Sequence, residues 1–464
     1  MKLKVFVLFV IVLAMIVACA PAPTPVPPTK APEPPKPAAT QPPAPAPTQA
    51  PVATKAPEPT KAPAPTQPPA ATKAAAPVTL KIAWMGADYK AYKTWKENFE
   101  KENPGVTIEY QLIPYADGPT VFNTMIQGGN TPDLAYMFMG MIAEYAERKA
   151  IVPIDDYMKP DDRAGWVPGA LEAAQYKGKT YGVPLIGANR TLFVRTDLMK
   201  AAGYNEPPKT WDQVRDLARK MTKAPDVYGM CMGLGRPKHI MQEQISMMWG
   251  FGADFFDKDG KLAVNSPAAV KYVTELTDMF LKDKVMAPSN VTMNANECYA
   301  AMAAGKVGMM FSMPIQTKMC ADNKFECLPV PLPEPNVGGE KKMLLIVDVF
   351  GMFANSKNKD VAYRFMQFLQ RPENRLLMDI EFGGVPVTMK IANDPYYQSP
   401  GIKDYVANTK YLKLTPNHPE WTKIQDGWGE AVQKVITGDM TPEKSLQALY
   451  DRLKKELVVP DLPK

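Results

Sequence analysis

Few residues of this 464-residue chain could catalyse a reaction. The adjacent acids Asp155-Asp156 and Asp161-Asp162 are the first candidates, because glycoside hydrolysis needs two carboxyl groups facing each other across a substrate. Neighbouring residues do not face each other in that way, and both pairs are typical of loops and helix starts. A Ser-His-Asp arrangement would have to use one of two isolated histidines. The sequence therefore favours binding over catalysis, with an exported carbohydrate-active enzyme as the alternative.

Four cysteines beyond position 19 could form disulfides, because their number is even and four cysteines allow three pairings. Cys320 and Cys327 are the local pair that the spacing favours, and free buried thiols are the alternative. The other two are Cys231 and Cys298. Their spacing does not fit a zinc site, so we expect neither a metal nor a cofactor.

The N-terminal residues predict export and anchoring. Two lysines precede an apolar stretch, Val5 to Val17, which is the layout of a secretory signal peptide and is shorter than the roughly 20 residues that span a bilayer. Ile16-Val17-Ala18-Cys19 resembles the lipobox of bacterial lipoproteins. That resemblance implies cleavage of residues 1–18 and a lipid on the Cys19 sulfur, at the outer face of the cell membrane. An ordinary signal peptide with a chance cysteine is the alternative.

A proline-rich segment follows the cysteine. Residues 20–77 contain 21 prolines, no glycine and no aromatic residue. Such a composition cannot form a core and favours extended polyproline II, which gains at most about 3.1 Å per residue. We interpret residues 19–77 as a lipidated cysteine followed by a disordered tether.

Residues 78–464 should form the globular part. This part carries 47 basic and 46 acidic residues, so no charge imbalance indicates nucleic acid. Its 387 residues exceed the size at which one hydrophobic core usually stops growing, which predicts two lobes. The first 60 residues alternate strand and helix patterns, as in an open parallel sheet covered by helices.

Several motifs follow one another in order over nearly all of residues 78–464. They are Phe99-Glu100-Lys101-Glu102-Asn103-Pro104-Gly105, Gly128-Gly129-Asn130-Thr131-Pro132-Asp133, Tyr176-Lys177-Gly178-Lys179-Thr180-Tyr181-Gly182-Val183-Pro184, Pro208-Lys209-Thr210-Trp211, Asn355-Ser356-Lys357-Asn358 and Gly383-Gly384-Val385-Pro386. Taken in this order, they resemble the motifs of family 1 extracellular solute-binding proteins, the maltose-binding-protein group of ABC importers.

The resemblance implies a periplasmic-binding-protein-like α/β fold, with two lobes joined by a multi-segment hinge around a central cleft. Lobe 1 would comprise 78–187 and 343–385, and lobe 2 would comprise 188–342 and 386–464. The implied protein is a monomer that captures a small solute by lobe closure and delivers it to an ABC permease. A docking lipoprotein that binds a protein partner is a further alternative.

The same resemblance implies which side chains contact the solute. They lie close to the lobe edges at the positions that face the cleft in the family: Trp84, Tyr136, Phe138, Asn189, Arg190, Arg236, Trp249, Asp348, Asp426 and Trp428. Asp348 has an independent signal, because it interrupts the apolar run from Leu344 to Phe353. Where maltose binders carry an acid after the proline hairpin, this chain has Ala188-Asn189-Arg190. We therefore expect a sugar or sugar derivative other than maltodextrin, with a polyol, an amino sugar or an anionic compound as alternatives.

Overall fold

The computed structural model describes residues 76–86, 88–114, 117–235, 240–399 and 402–462. Cys19, Arg236 and nearly all of the proline-rich segment lie outside these residues. Within the described ranges, no helix is long and apolar enough to cross a membrane.

The larger sheet combines parallel and antiparallel pairs. Strands β1 and β2 pair in parallel along eight residues, and β1 also pairs in parallel with β3, as the strand-helix-strand pattern predicts. Strand β11 runs antiparallel to both β3 and β6, and its first residues pair with β12. The strands of this sheet are β1 (Val78–Met85), β2 (Val106–Ile113), β3 (Leu134–Phe138), β6 (Gly182–Asn189), β11 (Met343–Met352) and β12 (Leu412–Lys413).

A smaller sheet has the strand order β10-β7-β9-β8. Its first strand in the chain, β7, follows β6 after a single residue, so the chain passes directly from the larger sheet into the smaller one. The strands are β7 (Thr191–Arg195), β8 (Tyr228–Met230), β9 (Val307–Ser312) and β10 (Cys327–Pro329), and a separate hairpin pairs β4 (Gln175–Tyr176) with β5 (Lys179–Thr180).

Helices cover both sheets, and their ends follow local sequence signals. Thr210 caps one helix by accepting a hydrogen bond from the Gln213 backbone N–H. The helices are α1 (Lys90–Glu102), α2 (Gly118–Gln127), α3 (Gly140–Glu147), α4 (Pro160–Ala164), α5 (Pro168–Ala173), α6 (Thr196–Ala201), α7 (Trp211–Met221), α8 (Ile240–Gly250), α9 (Pro267–Leu281), α10 (Ala295–Ala303), α11 (Ile315–Asp322), α12 (Lys359–Leu369), α13 (Pro372–Phe382), α14 (Pro395–Gln398), α15 (Ile402–Ala407), α16 (Trp421–Ile436) and α17 (Pro442–Glu456).

Two large clusters of buried residues form the cores of two lobes. We call them the first core, which runs from Leu80 to Val387 and packs on the larger sheet, and the second core, which surrounds the smaller sheet and includes α16 and α17. Strand β11 contributes to both. Met343, Leu344 and Ile346 near its start belong to the second core, whereas Leu345, Val347 and the later residues Val349, Phe350 and Met352 belong to the first.

The chain connects the two cores at several places. The chain passes from β6 into β7 at Asn189–Thr191 and enters β11 at Met343. The family order implies crossings near Leu185–Asn189 and Lys342. A third connection was expected near Gly384–Val387. In the structure, Val387 belongs to the first core, Met389 donates its backbone N–H to Gly165, and Tyr397 donates to Asp379 of α13. This connection is therefore long, and it reaches the second core at α16.

Two disulfides lie in a small satellite core beside the smaller sheet. Cys320 and Cys327, the local pair that the spacing favoured, are bonded to each other. Cys231 and Cys298 form the second disulfide, across 67 residues, so the alternative of free buried thiols does not hold.

Candidate ligand-binding site

Asp348 lies at the boundary between the two cores. It pairs with Phe138 of β3 and with Ile186 of β6, where a bulge interrupts the ladder. Its side chain points to the same face of β11 as Ile346 of the second core and Phe350 of the first. The carboxyl ends of β1 and β3 meet at this level, which is where open α/β sheets bind ligands. Asp348 therefore lies on β11 where residues of the first and the second core meet.

The carboxyl group of Asp348 is buried, with 3% of the residue exposed. Tyr136 donates its hydroxyl to Oδ2 at 2.5 Å, whereas Oδ1 has no hydrogen-bond partner among the described residues. Burial raises the pKa of Asp348 to about 7, although the Tyr136 hydrogen bond and the charge of Arg190 act in the opposite direction. A carboxyl group held in this way can accept a hydrogen bond from a bound molecule.

A second buried carboxyl, Glu243 on α8, faces the same region from the other lobe. Tyr299 donates to its Oε1 at 3.0 Å, and Arg190 Nε lies 3.5 Å from the same oxygen. Arg190 also donates from Nη2 to Gln242 at 2.8 Å. Burial raises the pKa of Glu243, and Arg190 is the main group that opposes the rise. Arg190 thus acts electrostatically on one carboxyl from each lobe.

The lobes also approach each other beside Phe138. A narrow crevice of about 30 Å³ lies there. Gly140 begins α3 at this point, and a Cβ on it would lie 2.8 Å from Trp421 Cδ1, so only glycine permits the approach of α16. The crevice is lined from both lobes by Phe138, Met139, Gly140, Gln242, Ile245, Leu344, Ile346, Thr415, Trp421 and Gln425.

Of the other predicted site residues, three lie close to the boundary between the lobes and one is buried behind it. Asn189 and Arg190 lie at the passage between the sheets, and Asp426 is half-buried next to Gln425, which lines the crevice. Trp84 is fully buried and stacks on Tyr136, with ring centroids 4.8 Å apart and planes at 13°. It supports the ring that bonds Asp348 rather than presenting a face to the cleft. Arg236 lies outside the described residues.

Trp249 and Trp428 are packing residues of the second core, which corrects the expectation for both. Lys413 covers the Trp249 ring at 4.9 Å and is itself paired with Asp254. Trp428 stacks on Tyr272 and meets Phe255 edge-on. Neighbouring side chains cover both rings, so we leave both residues out of the proposed site.

Sequence reasoning missed Gln242 and Glu243 of α8 and Tyr299 of α10, none of which was among the expected contacts. Gln242, Glu243 and Gln244 form a run of three polar residues on a helix that is otherwise mostly apolar. Glu243 and Gln244 are each 1% exposed in the structure. Buried polar residues need partners, so such a run is a usable signal of a polar site.

The described residues contain no cluster of His, Cys, Asp or Glu that could hold a metal ion. The candidate site contains carboxyl, guanidinium, amide and phenol groups together with aromatic rings, an arrangement suited to holding a polar solute.

Comparison with known proteins identifies the family. The model described as bacterial extracellular solute-binding protein matches residues 83–376, more than half of the chain. The chain belongs to this family. Solute-binding proteins of this family bind and are not enzymes, and they act outside the cytoplasm. This agrees with the fold and the function that the ordered motifs imply.

Three known proteins show how far the similarity extends along the chain. A binding protein of Brucella abortus (strain 2308) is 26% identical over 380 residues, covering 80% of this chain and 91% of the relative. The galactooligosaccharide-binding protein of Bacillus subtilis (strain 168) is 24% identical over 377 residues, covering 77% and 85%. The structure of an ABC substrate-binding protein from Listeria monocytogenes in complex with cycloalternan has a TM-score of 0.73 at 25% identity, covering 82% and 98%. The periplasmic-binding-protein fold of two α/β lobes is common to the Listeria protein and to this solute-binding protein.

Proposed function

We propose that this protein is the lipid-anchored substrate-binding component of an ABC importer for a sugar or sugar derivative. It captures the solute by closing its lobes and delivers it to the transmembrane subunits of a permease. The main support for this proposal is the set of buried polar groups that both lobes place at their boundary. The charge of Arg190 interacts there with Asp348 of one lobe and with Glu243 of the other.

The relatives support the class of solute. One is named for binding galactooligosaccharides, and the Listeria structure contains the oligosaccharide cycloalternan. Phe138 at the end of β3 lines the crevice and supplies aromatic surface beside the buried polar groups, and this combination suits the apolar faces and hydroxyl groups of sugars. Cys19 and the segment after it support the anchor, because a lipid would keep a freely moving receptor close to its permease.

A binding screen tests this function. The full chain, purified in detergent, is tested by thermal shift and isothermal titration against galactooligosaccharides, cycloalternan, maltotriose, mannotriose and ribitol, with the solution checked for products. We expect at least one compound to bind without being altered. Product formation would contradict a pure binding role, and no response to any compound would favour the docking alternative.

A matched pair of variants tests the site. Arg190→Lys keeps the charge but loses the planar donors that reach Gln242 and Glu243, so affinity for the compound found should fall roughly tenfold or more. Arg371→Lys is the control, because Arg371 pairs with Glu102 on the exposed surface. Equal affinities in the two variants would remove Arg190 from the site.

A further inference from the structure

The two buried carboxyls of the site share one property. Oδ1 of Asp348 and Oε2 of Glu243 are each covered from solvent and have no hydrogen-bond partner among the described residues. The two residues are 3% and 1% exposed. They come from different lobes, one from β11 and the other from α8.

The described contacts to these two carboxyl groups are made at the other oxygen of each. Tyr136 bonds Oδ2 of Asp348, while Tyr299 and Arg190 both approach Oε1 of Glu243. A buried acceptor without a donor costs about 1–3 kcal/mol, and more when it is charged. Two such acceptors at one boundary indicate that donors arrive with a bound molecule. Since both oxygens are covered in this arrangement of the lobes, the molecule reaches them when the lobes separate.

The charges of the cluster point to the kind of donor. Within the described part of the chain, Arg190 is the one cation that acts on either carboxyl, so the ionised cluster has a net charge of −1. An unbalanced buried charge is strongly unfavourable unless an opposite charge pairs with it. An ammonium group supplies both a positive charge and three donors, whereas a hydroxyl group supplies one donor and no charge.

We propose that the solute carries an ammonium group, as an amino sugar or an amino polyol does, and that this group donates to Asp348 Oδ1 and Glu243 Oε2 in the closed protein. The inference rests on the proposed function and narrows its solute class. Asp348 and Glu243 are then the residues that select an amine over a hydroxyl at one position of the ligand.

Matched sugars test this selection. The full chain is titrated at pH 7.5 with glucosamine and glucose, galactosamine and galactose, mannosamine and mannose, and the glucosamine trimer chitotriose against cellotriose. In at least one pair, the amino compound should bind roughly 10- to 100-fold more tightly than its hydroxyl counterpart, as expected for charge-assisted hydrogen bonds.

Two variants assign the preference to the carboxyls. Asp348→Asn and Glu243→Gln keep shape and polarity but remove one charge each, and each should reduce the preference for the amino compound at least tenfold. Glu172→Gln is the control, because Glu172 lies on α5 and lines a different cavity from the crevice beside Phe138. Thermal unfolding of each variant checks that it folds.

The outcomes separate the two proposals. Tighter binding of neutral sugars, or a preference that persists in both carboxyl variants, would overturn the ammonium inference and leave the sugar-binding function intact. Failure of every compound, neutral or amino, would overturn both.

Discussion

The buried carboxyl group of Asp348 makes the folded protein less stable as the pH rises. Its pKa in the folded protein is about 7, above the roughly 3.9 of an unfolded chain, because burial disfavours the charged form. Between these values the folded state binds more protons than the unfolded state, so the free energy of unfolding falls as pH rises through this window. Above about pH 7 the full cost of ionising the buried group is present.

Asp348→Asn should therefore stabilise the protein at pH 8 while weakening ligand binding. An asparagine does not ionise, so the gain in unfolding free energy should grow between pH 4 and pH 8, up to roughly 4 kcal/mol for a shift of this size. Urea unfolding of both proteins across this range measures the gain, with pH 4 as the internal control. Parallel pH profiles for wild type and variant would show that Asp348 does not titrate with a raised pKa.

Trp84 is expected to matter for stability as well as for the site. Its fully buried ring contacts Tyr136, Trp95 and Tyr92. Trp84→Ala would leave a cavity among these rings and should cost about 3–5 kcal/mol. Denaturant unfolding measures the loss, and Trp84→Phe, which retains a ring, should lose clearly less. A fully stable Trp84→Ala variant would show that the cluster repacks.

For individual residues, the sequence predicted those whose role can be inferred from their neighbours in the sequence. Asp348 was found because a charge in an apolar strand needs a partner, and it lies at the lobe boundary. Trp249 and Trp428 were misplaced because a tryptophan in a helix has the same local pattern whether it faces a cleft or a core. What covers each ring, Lys413 or Tyr272, comes from distant parts of the chain.

Among the secondary structure elements, β6 shows how closely the connecting segments pack. The Val385 backbone N–H donates to the Gly187 carbonyl at 2.8 Å, and a Cβ on Gly187 would lie 2.8 Å from the Val385 oxygen. Two of the segments that join the lobes are therefore in direct backbone contact, which a side chain at position 187 would prevent.

Gly187→Ala should destabilise the protein by about 1–3 kcal/mol, because the new methyl group meets backbone that cannot move aside without breaking this hydrogen bond. Gly169→Ala on α5 is a matched control, since its Cβ meets only the end of the Leu345 side chain. Urea unfolding compares the two. If the Gly187 variant is as stable as the Gly169 variant, the connection adjusts freely.

The two disulfides should differ in their contribution to stability. In the chain-entropy model, a bond that closes 67 residues contributes about 4 kcal/mol and one that closes seven contributes about 2 kcal/mol. Each disulfide is removed in a double variant, and the two double variants serve as controls for each other: Cys231→Ala/Cys298→Ala and Cys320→Ala/Cys327→Ala. Urea unfolding should show the larger loss for the first pair, and a larger loss for the second would contradict the model.

Of all the features of the fold, the secondary structure elements could be predicted best from the sequence. Thr210 is the type of residue that caps helices, and it caps α7, while the Gln213 side chain accepts a hydrogen bond from the Lys209 backbone N–H. The parallel pairing of β1 with β2 and β3 follows from local alternation and helix spacing. The antiparallel position of β11 could not be derived in that way, because its partners β3 and β6 lie more than 150 residues earlier.

For the whole molecule, anchoring at Cys19 remains a proposal that can be tested in cells. Cys19→Ser should move the protein from the membrane fraction to the soluble fraction, because a serine cannot carry a thioether-linked lipid and the rest of the chain would then lack its anchor. Ala20→Ser, which leaves the cysteine in place, is the control. Fractionation with labelled palmitate measures the change, and a variant that still incorporates the palmitate label would rule out the lipid at this residue.

The first core combines residues that lie far apart in the sequence, so it can be completed only late in synthesis. Leu80 and Val387 both belong to it, so this core stays incomplete until residue 387 has left the ribosome. At roughly 5–20 residues per second, about 300 residues take some 15 to 60 seconds to make. Long-range contacts of this kind also form slowly once the chain is complete. The first lobe therefore cannot complete its core until late in translation, and an incomplete lobe is the kind of chain that can still pass through a narrow secretion channel.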